Sequence, residues 1–264
     1  WQTENLPTPS GTGQLEGFEL SRATSTATTR ESNVAQISSR DATVSGSQDA
    51  SDPAGKKQEL AHQMALMSKA LKRDMEVALC QNTAKNAGNA TTARQTRSFE
   101  AWITTNKSRG TGGADGSASA AATDAATGNR RALTEALLKG VLQSMFTNGA
   151  EPKMAIAGPV NKGVISGFTG RANTRQNVSA DTVSASISVY ASDFGELQIV
   201  PSNRSRDRSL LLVDPEYAKV AYLRNFQTMD IAKIGDADTK MILAEYGLEM
   251  SNEAAHGIVA DLTA

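Results

Sequence analysis

The sequence predicts an α+β protein, and three observations lead there. Leu60, Met64, Met67, Leu71, Met75 and Ala78 recur at spacings of 4, 3, 4, 4 and 3, which is one stripe of a helix. Period-two patterns typical of strands occupy the first fifty residues and the last third of the chain. Helical and extended segments do not alternate strictly, so there is no sign of a doubly wound parallel sheet.

Residues 1–52 are rich in Ser, Thr, Gly and Gln, with short alternations such as Gly17-Phe18-Glu19-Leu20 and Asn33-Val34-Ala35-Gln36-Ile37. That pattern predicts an extended hairpin whose strands carry too little apolar surface to bury themselves. Such an arm gains stability by lying on a neighbour that supplies backbone partners. Asp52-Pro53 then signals a helix start. The apolar stripe carries that helix to about Asn82, a rod about 40 Å long at roughly 1.5 Å per residue. A second helix is expected over about Arg94 to Thr104, with Phe99, Trp102 and Ile103 as its apolar residues.

Lys107 to Asn129 is dominated by Gly, Ala, Ser, Thr and Asp, and the composition predicts an exposed, flexible loop. Leu133, Leu137, Leu138, Val141, Leu142 and Met145 give a helix over residues 131–147, stopped by Asn148-Gly149. A short buried strand at Met154 to Ala157 precedes Gly158-Pro159 and a brief helix toward Phe168. Strands follow at Val183 to Tyr190, Leu197 to Val200, Ser209 to Val213, Val220 to Phe226 and Lys240 to Glu249.

The chain of 264 residues is long enough for one large domain or two modest ones. Its formal charge of −1 argues against an obligate nucleic-acid binder, which normally presents a strongly basic face. Aromatics are only 5%, so apolar residues must be concentrated in a few segments. The single cysteine, Cys80, permits no intrachain disulfide and reads as a small buried hydrophobe in a reducing compartment. No apolar run approaches the roughly 18 residues of a membrane span. The sequence opens at Trp1 with no signal peptide and no initiator Met, so a preceding N-terminal piece is expected to be missing.

Several motifs fail on context. Asp193-Phe194-Gly195 spells a kinase metal motif, but the accompanying kinase signatures are absent and a hairpin turn explains it. Gly11-Thr12-Gly13 and Gly17 lack the strand and helix of a dinucleotide site. His62 and His256 offer no metal-ligand spacing, and no nucleophile–base pair or paired carboxylates can be assembled, so no catalytic residue, metal or cofactor is expected. Four Asn-x-Ser/Thr triplets, among them Asn106-Lys107-Ser108, read as chance matches without a secretory signal. Arg204, Arg206 and Arg208 form the densest basic cluster: either a solvated loop or an intersubunit ion-pair site.

Separated motifs along nearly the whole chain resemble one family. They are Trp1-Gln2-Thr3, Lys72-Arg73-Asp74-Met75-Glu76, Gly167-Phe168-Thr169-Gly170, Val189 to Gly195, Val220 to Arg224 and Asn252 to Leu262. Together they are similar to the major capsid proteins of short-tailed bacteriophages with the Hong Kong 97-type fold. The resemblance implies an extended E-loop arm over 1–52, a peripheral domain with a spine helix over 53–130 that includes the flexible loop 107–129, and an axial domain over 131–212. It further implies peripheral return strands over 213–250 and an axial tail over 251–264.

The function implied is self-assembly into hexamers and pentamers of an icosahedral head enclosing double-stranded DNA, without sequence-specific binding and without a membrane. The implied partners are other copies of the chain, a portal, and scaffold or decoration proteins; the implied location is the virion. Leu15, Phe18, Leu20, Arg204, Arg206 and Arg208 are the candidate intersubunit contacts. A phage surface or fibre-like adhesion protein is the alternative compatible with Ser/Thr-rich strands.

Overall fold

The computed structural model describes residues 1–4, 11–19, 27–51, 58–168 and 188–263. Two units are distinguished, Trp1–Ser32 and Asn33–Ala264.

In the first unit, β1 (Gln2–Thr3) pairs antiparallel with β2 (Thr29–Arg30). The Trp1 ammonium donates to the Glu31 carbonyl at 3.2 Å, and the Glu31 amide returns a bond to the Trp1 carbonyl at 3.0 Å. The ends of the arm are therefore clipped together by backbone bonds. Leu20 and the Asp52-Pro53 helix start lie outside the described residues.

The second unit begins with β3 (Gln36–Ser45), a short helix α1 (Gly46–Ala50) and the long helix α2 (Glu59–Cys80). Next come α3 (Phe99–Trp102), β4 (Asn106–Ser108) and α4 (Glu135–Thr147). The chain continues through β5 (Met154–Ala157), α5 (Pro159–Ser166), β6 (Val189–Ser192), β7 (Gly195–Pro201) and β8 (Leu210–Val213). It closes with β9 (Ala218–Ile231), β10 (Ala237–Met250) and β11 (Gly257–Val259).

These strands make two larger sheets. One has the order β3-β10-β9, all antiparallel, with α2 packed against β3 and β10. Leu71, Met75, Leu79 and Cys80 fill the buried side of α2, so the apolar stripe read from spacing is the face that packs. The other sheet runs β4-β11-β8-β5-β7-β6. Leu138, Val141, Leu142 and Met145 of α4 and Ile165 of α5 cover one face of it, against Leu210, Leu212, Ala155, Ala157, Leu197, Ile199 and Val259. Strand alternation puts those sheet residues on a single side.

Three expectations need correction. The arm does not run to residue 52: β3 is an edge strand of its own subunit, in register with β10 from Ser45 opposite Ala237 to Gln36 opposite Tyr246. A polar strand can do this because its helix-facing side is partly satisfied by polar contacts. Arg40 makes a two-pronged ion pair with Asp74 of α2 at 2.6 and 2.8 Å, Ser38 bonds the Tyr246 hydroxyl, and only Ala42 and Val44 are buried. Hydrogen bonding from Arg40 holds the Asp74 carboxyl below its ordinary range.

Residues 94–98 are not helical; Thr96, Arg97 and Ser98 are buried in extended backbone, and the helix contracts to Phe99–Trp102. Asn33 organises this stretch, donating to Thr96 Oγ1 and to the Arg97 and Leu248 carbonyls and accepting from the Arg97 amide.

The segment from Lys107 to Asn129 is packed and hydrogen-bonded, contrary to its flexible composition. Ala114 and Thr123 exchange both backbone bonds, and Ala122 and Ala125 are buried. Asn82 bonds the Ala122 amide and carbonyl, while the Asp261 carboxylate accepts from the Gly110 and Ala125 amides at 2.9 and 2.7 Å. Small residues are needed here for close approach. A Cβ at Gly116 would stand 2.6 Å from the Ala101 carbonyl oxygen. Asp261 itself sits at φ 59, a left-handed conformation rare outside glycine, asparagine and aspartate.

Candidate assembly surfaces

Midway along the arm sequence, residues 15–18 form a β-turn. The Phe18 amide bonds the Leu15 carbonyl at 3.1 Å, and Gly17 at φ 80 takes the position where a type II turn demands positive φ. Leu15 and Phe18 stand at the two ends of the turn, 84% and 52% exposed, with Glu16 between them in sequence and Glu19 following. An apolar pair presented to solvent by a tight turn has no reason to be there in an isolated chain.

A second open surface is β9. It pairs only with β10, so its outer backbone edge has no strand partner among the described residues. Val220, Tyr222, Leu223, Met229 and Ile231 are exposed along it, and Ile234 follows in the turn. Long, apolar edge strands template association, and a chain that keeps one uncovered outside an assembly risks aggregation. A third surface lies beside the β6–β7 hairpin. The Phe194 ring contacts Phe146 of α4, centroids 5.1 Å apart, next to a groove lined by Ala136, Gly140, Gln143 and Ser192.

Two members of the arginine cluster, Arg206 and Arg208, make ion pairs within the subunit. Arg206 pairs with Glu100 at 3.0 Å and with Asp124; Arg208 reaches Asp124 at 3.0 Å, and Ser209 donates to Glu100. Arg109 approaches Glu100 at 4.0 Å and bonds Asp115, which Lys107 also engages. The Glu100 side chain is 1% exposed and that of Arg206 13%. Within the subunit, the Arg206 guanidinium is taken up by carboxylates of α3 and of the 107–129 segment. Arg204 is half-buried beside α2, its carbonyl bonded by Gln81, and Arg208 remains partly open at 42%.

Burial pushes the Glu100 carboxyl up, while Arg206 and Arg109 pull against it. Burial also acts to raise Asp124, but the Arg206 charge and the hydrogen bonds from Arg208 and Arg206 outweigh it and hold that carboxyl low.

Beside this network, Asn106 is fully buried and uses both ends of its amide. Nδ2 donates to the Ala254 and His256 carbonyls at 2.6 and 3.1 Å, and Oδ1 accepts from Ser144 Oγ and Asn148 Nδ2 at 2.9 and 2.7 Å. His256 is also fully buried, its Nδ1 accepting from the Asp214 amide at 3.2 Å. Burial pushes its pKa down to about 4, although the Asp214 and Glu253 carboxylates favour the charged form.

A folded-state pKa below the unfolded value means that stability is complete above the unfolded pKa and is lost as pH falls toward the folded one. Acidification from pH 6.5 to 4 is thus expected to remove on the order of 3 kcal/mol of stability through this residue. Urea unfolding at pH 7 and pH 4.5 should show a smaller acid loss for His256→Asn than for the parent. Equal losses would count against the assignment.

Cys80 is buried and its thiol is pushed up to about 12, mainly by burial, which makes it unreactive near neutrality. His62 is exposed on α2, and no cluster able to hold a metal occurs among the described residues.

The SU10 major capsid protein family matches residues 1–263. No curated protein matches significantly. Among solved structures, the chain is similar to one from Gordonia phage Cozz, with 13% identity, coverage of 100% of this chain and 80% of that one, and a TM-score of 0.60. A structure from Microbacterium phage Oxtober96 shares 15% identity over 99% of this chain and 83% of that one, with a TM-score of 0.57. The SrpI encapsulin of Synechococcus elongatus PCC 7942 shares 12% identity over 86% and 74%, with a TM-score of 0.54. At these identities the likeness is one of fold. Nothing in these matches supports a fibre-like adhesin.

Proposed function

Because the chain belongs to the SU10 major capsid protein family and builds virus capsid shells, we propose that its arm, Trp1–Ser32, is the element each copy lays on its neighbour. One observation carries this reading: the arm is a unit of its own whose turn exposes Leu15 and Phe18. It is the E-loop of a Hong Kong 97-type fold. The α2 and β3-β10-β9 layer is the peripheral domain, and the β4-β11-β8-β5-β7-β6 sheet with α4 and α5 is the axial domain, whose β6–β7 hairpin meets other copies around a capsomer axis.

Copies close into hexamers and pentamers through heterologous contacts, each modest and repeated many times, so misplaced subunits can leave while the shell as a whole persists. The head encloses double-stranded DNA, with portal and scaffold or decoration proteins as further partners. A near-neutral charge suits a wall that must not hold an incoming polyanion tightly. The role is structural, and no catalytic step is assigned to the chain.

Electron microscopy of the purified protein, alone and with its head-assembly partners, should show closed shells of uniform diameter. A protein that stays monomeric in both conditions at high concentration would contradict the proposal.

A further inference from the structure

We propose that Asn33 is a positioning residue for assembly: it fixes the point on each subunit from which the arm leaves, and Ser32 is the whole of the joint between them. This rests on the reading of Trp1–Ser32 as the arm, and it concerns the arm's root rather than the surface that receives it. On the arm side the last residue held is Glu31, whose amide bonds the Trp1 carbonyl at 3.0 Å and whose carbonyl accepts from the Trp1 nitrogen at 3.2 Å. On the other side the first residue held is Asn33. With consecutive Cα atoms about 3.8 Å apart, the joint spans at most about 7.6 Å.

The Asn33 side chain uses both ends of its amide on the second unit. Nδ2 donates to Thr96 Oγ1 at 2.9 Å, to the Leu248 carbonyl at 2.8 Å and to the Arg97 carbonyl at 3.3 Å. Oδ1 accepts from the Arg97 and Val34 amides at 2.9 and 2.8 Å. The partners are themselves deeply packed: Thr96 and Leu248 are 1% exposed and Arg97 7%. Thr96 Oγ1 also accepts from the Leu248 amide at 3.2 Å, and the Arg97 guanidinium lies over the Trp102 ring and donates to the Ala101 carbonyl. One side chain therefore ties the chain to β10 and to the buried 96–98 stretch before β3 begins. An amide is the short side chain that can donate to carbonyls and accept from amides at once; neither a carboxylate nor an aliphatic group does both.

A fixed root matters because shell geometry is set by where successive copies grip one another. An arm that leaves from a defined point delivers its contact at one place. A longer joint spreads the arm over more positions, which lowers the effective concentration of its contact and admits wrong closure angles. Uniform shell diameter, rather than folding of the subunit, is what depends on the joint.

Inserting Gly-Gly between Ser32 and Asn33 of the full-length protein lengthens the joint and leaves every Asn33 bond in place. The Tm of the unassembled subunit should stay within about 2 °C of the parent. Closed shells of the parent's diameter should fall at least about fivefold, replaced in electron micrographs by open or mixed-diameter particles. Asn33→Ala should reproduce that defect together with a lower Tm. Val141→Ala, in the axial core, should lower the Tm yet keep the parent's diameter. Parent yield and diameter from the insertion variant would overturn the inference, though the shell reading would stand. A Tm more than about 5 °C below the parent would also overturn it, by placing Ser32 inside the fold rather than at a joint. Val141→Ala shells as mixed as those of Asn33→Ala would reduce the Asn33 effect to lost stability and do the same. Absence of particles from the parent protein would be failure of the shell reading itself, and of this inference with it.

Discussion

Arg206→Ala should cost the folded subunit about 3 to 5 kcal/mol, the range found when one partner of a buried ion pair is removed. The size follows from what is left behind. Glu100 would lose the guanidinium 3.0 Å away and keep only Arg109 at 4.0 Å and the Ser209 hydroxyl. Asp124 would retain Arg208 alone. Because α3, the 107–129 segment and the turn before β8 meet at this guanidinium, the loss falls on three distant parts of the chain at once. Thermal unfolding of unassembled subunits should shift down by on the order of 10 °C, at 2–4 °C per kcal/mol for a chain of this class. Adding Glu100→Gln to Arg206→Ala should return part of the loss, since it removes the stranded charge. A change below about 1 kcal/mol would mean that the pair behaves as a solvated surface bridge.

Asn106→Ala should be nearly as severe, on the order of 3 kcal/mol, because a fully buried amide with four partners is lost: the buried His256 carbonyl is left unpaired, and the Ala254 carbonyl, Ser144 and Asn148, which are more open to solvent, lose a bond each. Two carbonyls on the donor side and two donors on the acceptor side fix the amide's orientation. Asn106→Asp keeps the shape but turns an anion toward the Ala254 and His256 carbonyls, so it should be no better than alanine. Chemical denaturation of the three proteins decides this. An aspartate variant as stable as the parent would show that the Ala254 and His256 bonds contribute little.

What was legible in the sequence tracks how local the cause is. The α2 stripe could be read because Leu71, Met75 and Leu79 are buried for the same reason that they are spaced, a helix with one face on a sheet. The sequence of β3 reads as arm because its apolar signal points the wrong way. Ile37 is exposed, while the burying contacts come from Ala42 and Val44 together with polar bonds to Asp74 and Tyr246 far along the chain.

The composition of the 107–129 segment reads as an exposed, flexible loop for a related reason. Asp261, which holds two of its amides, lies 151 and 136 residues away from Gly110 and Ala125. Composition registers the small residues there but not the backbone that needs the space they leave, as at Gly116 beside Ala101. The arginine cluster was visible as a charge density, yet its partners Glu100 and Asp124 are 106 and 82 residues from Arg206 and carry no mark in a single sequence. Asn106 was hidden in a triplet resembling a glycosylation signal, and only its complete burial reveals its work.

Leu15 and Phe18 form an apolar pair flanking a glycine turn in a polar stretch, where it has no local use. The most direct test of the whole account is therefore removal of residues 1–32 from the full-length protein, followed by sedimentation velocity and electron microscopy. The account predicts a folded subunit, since the rest of the chain has its own sheets and core, with no closed shells at concentrations where the parent assembles. Uniform shells built by the truncated protein would contradict it.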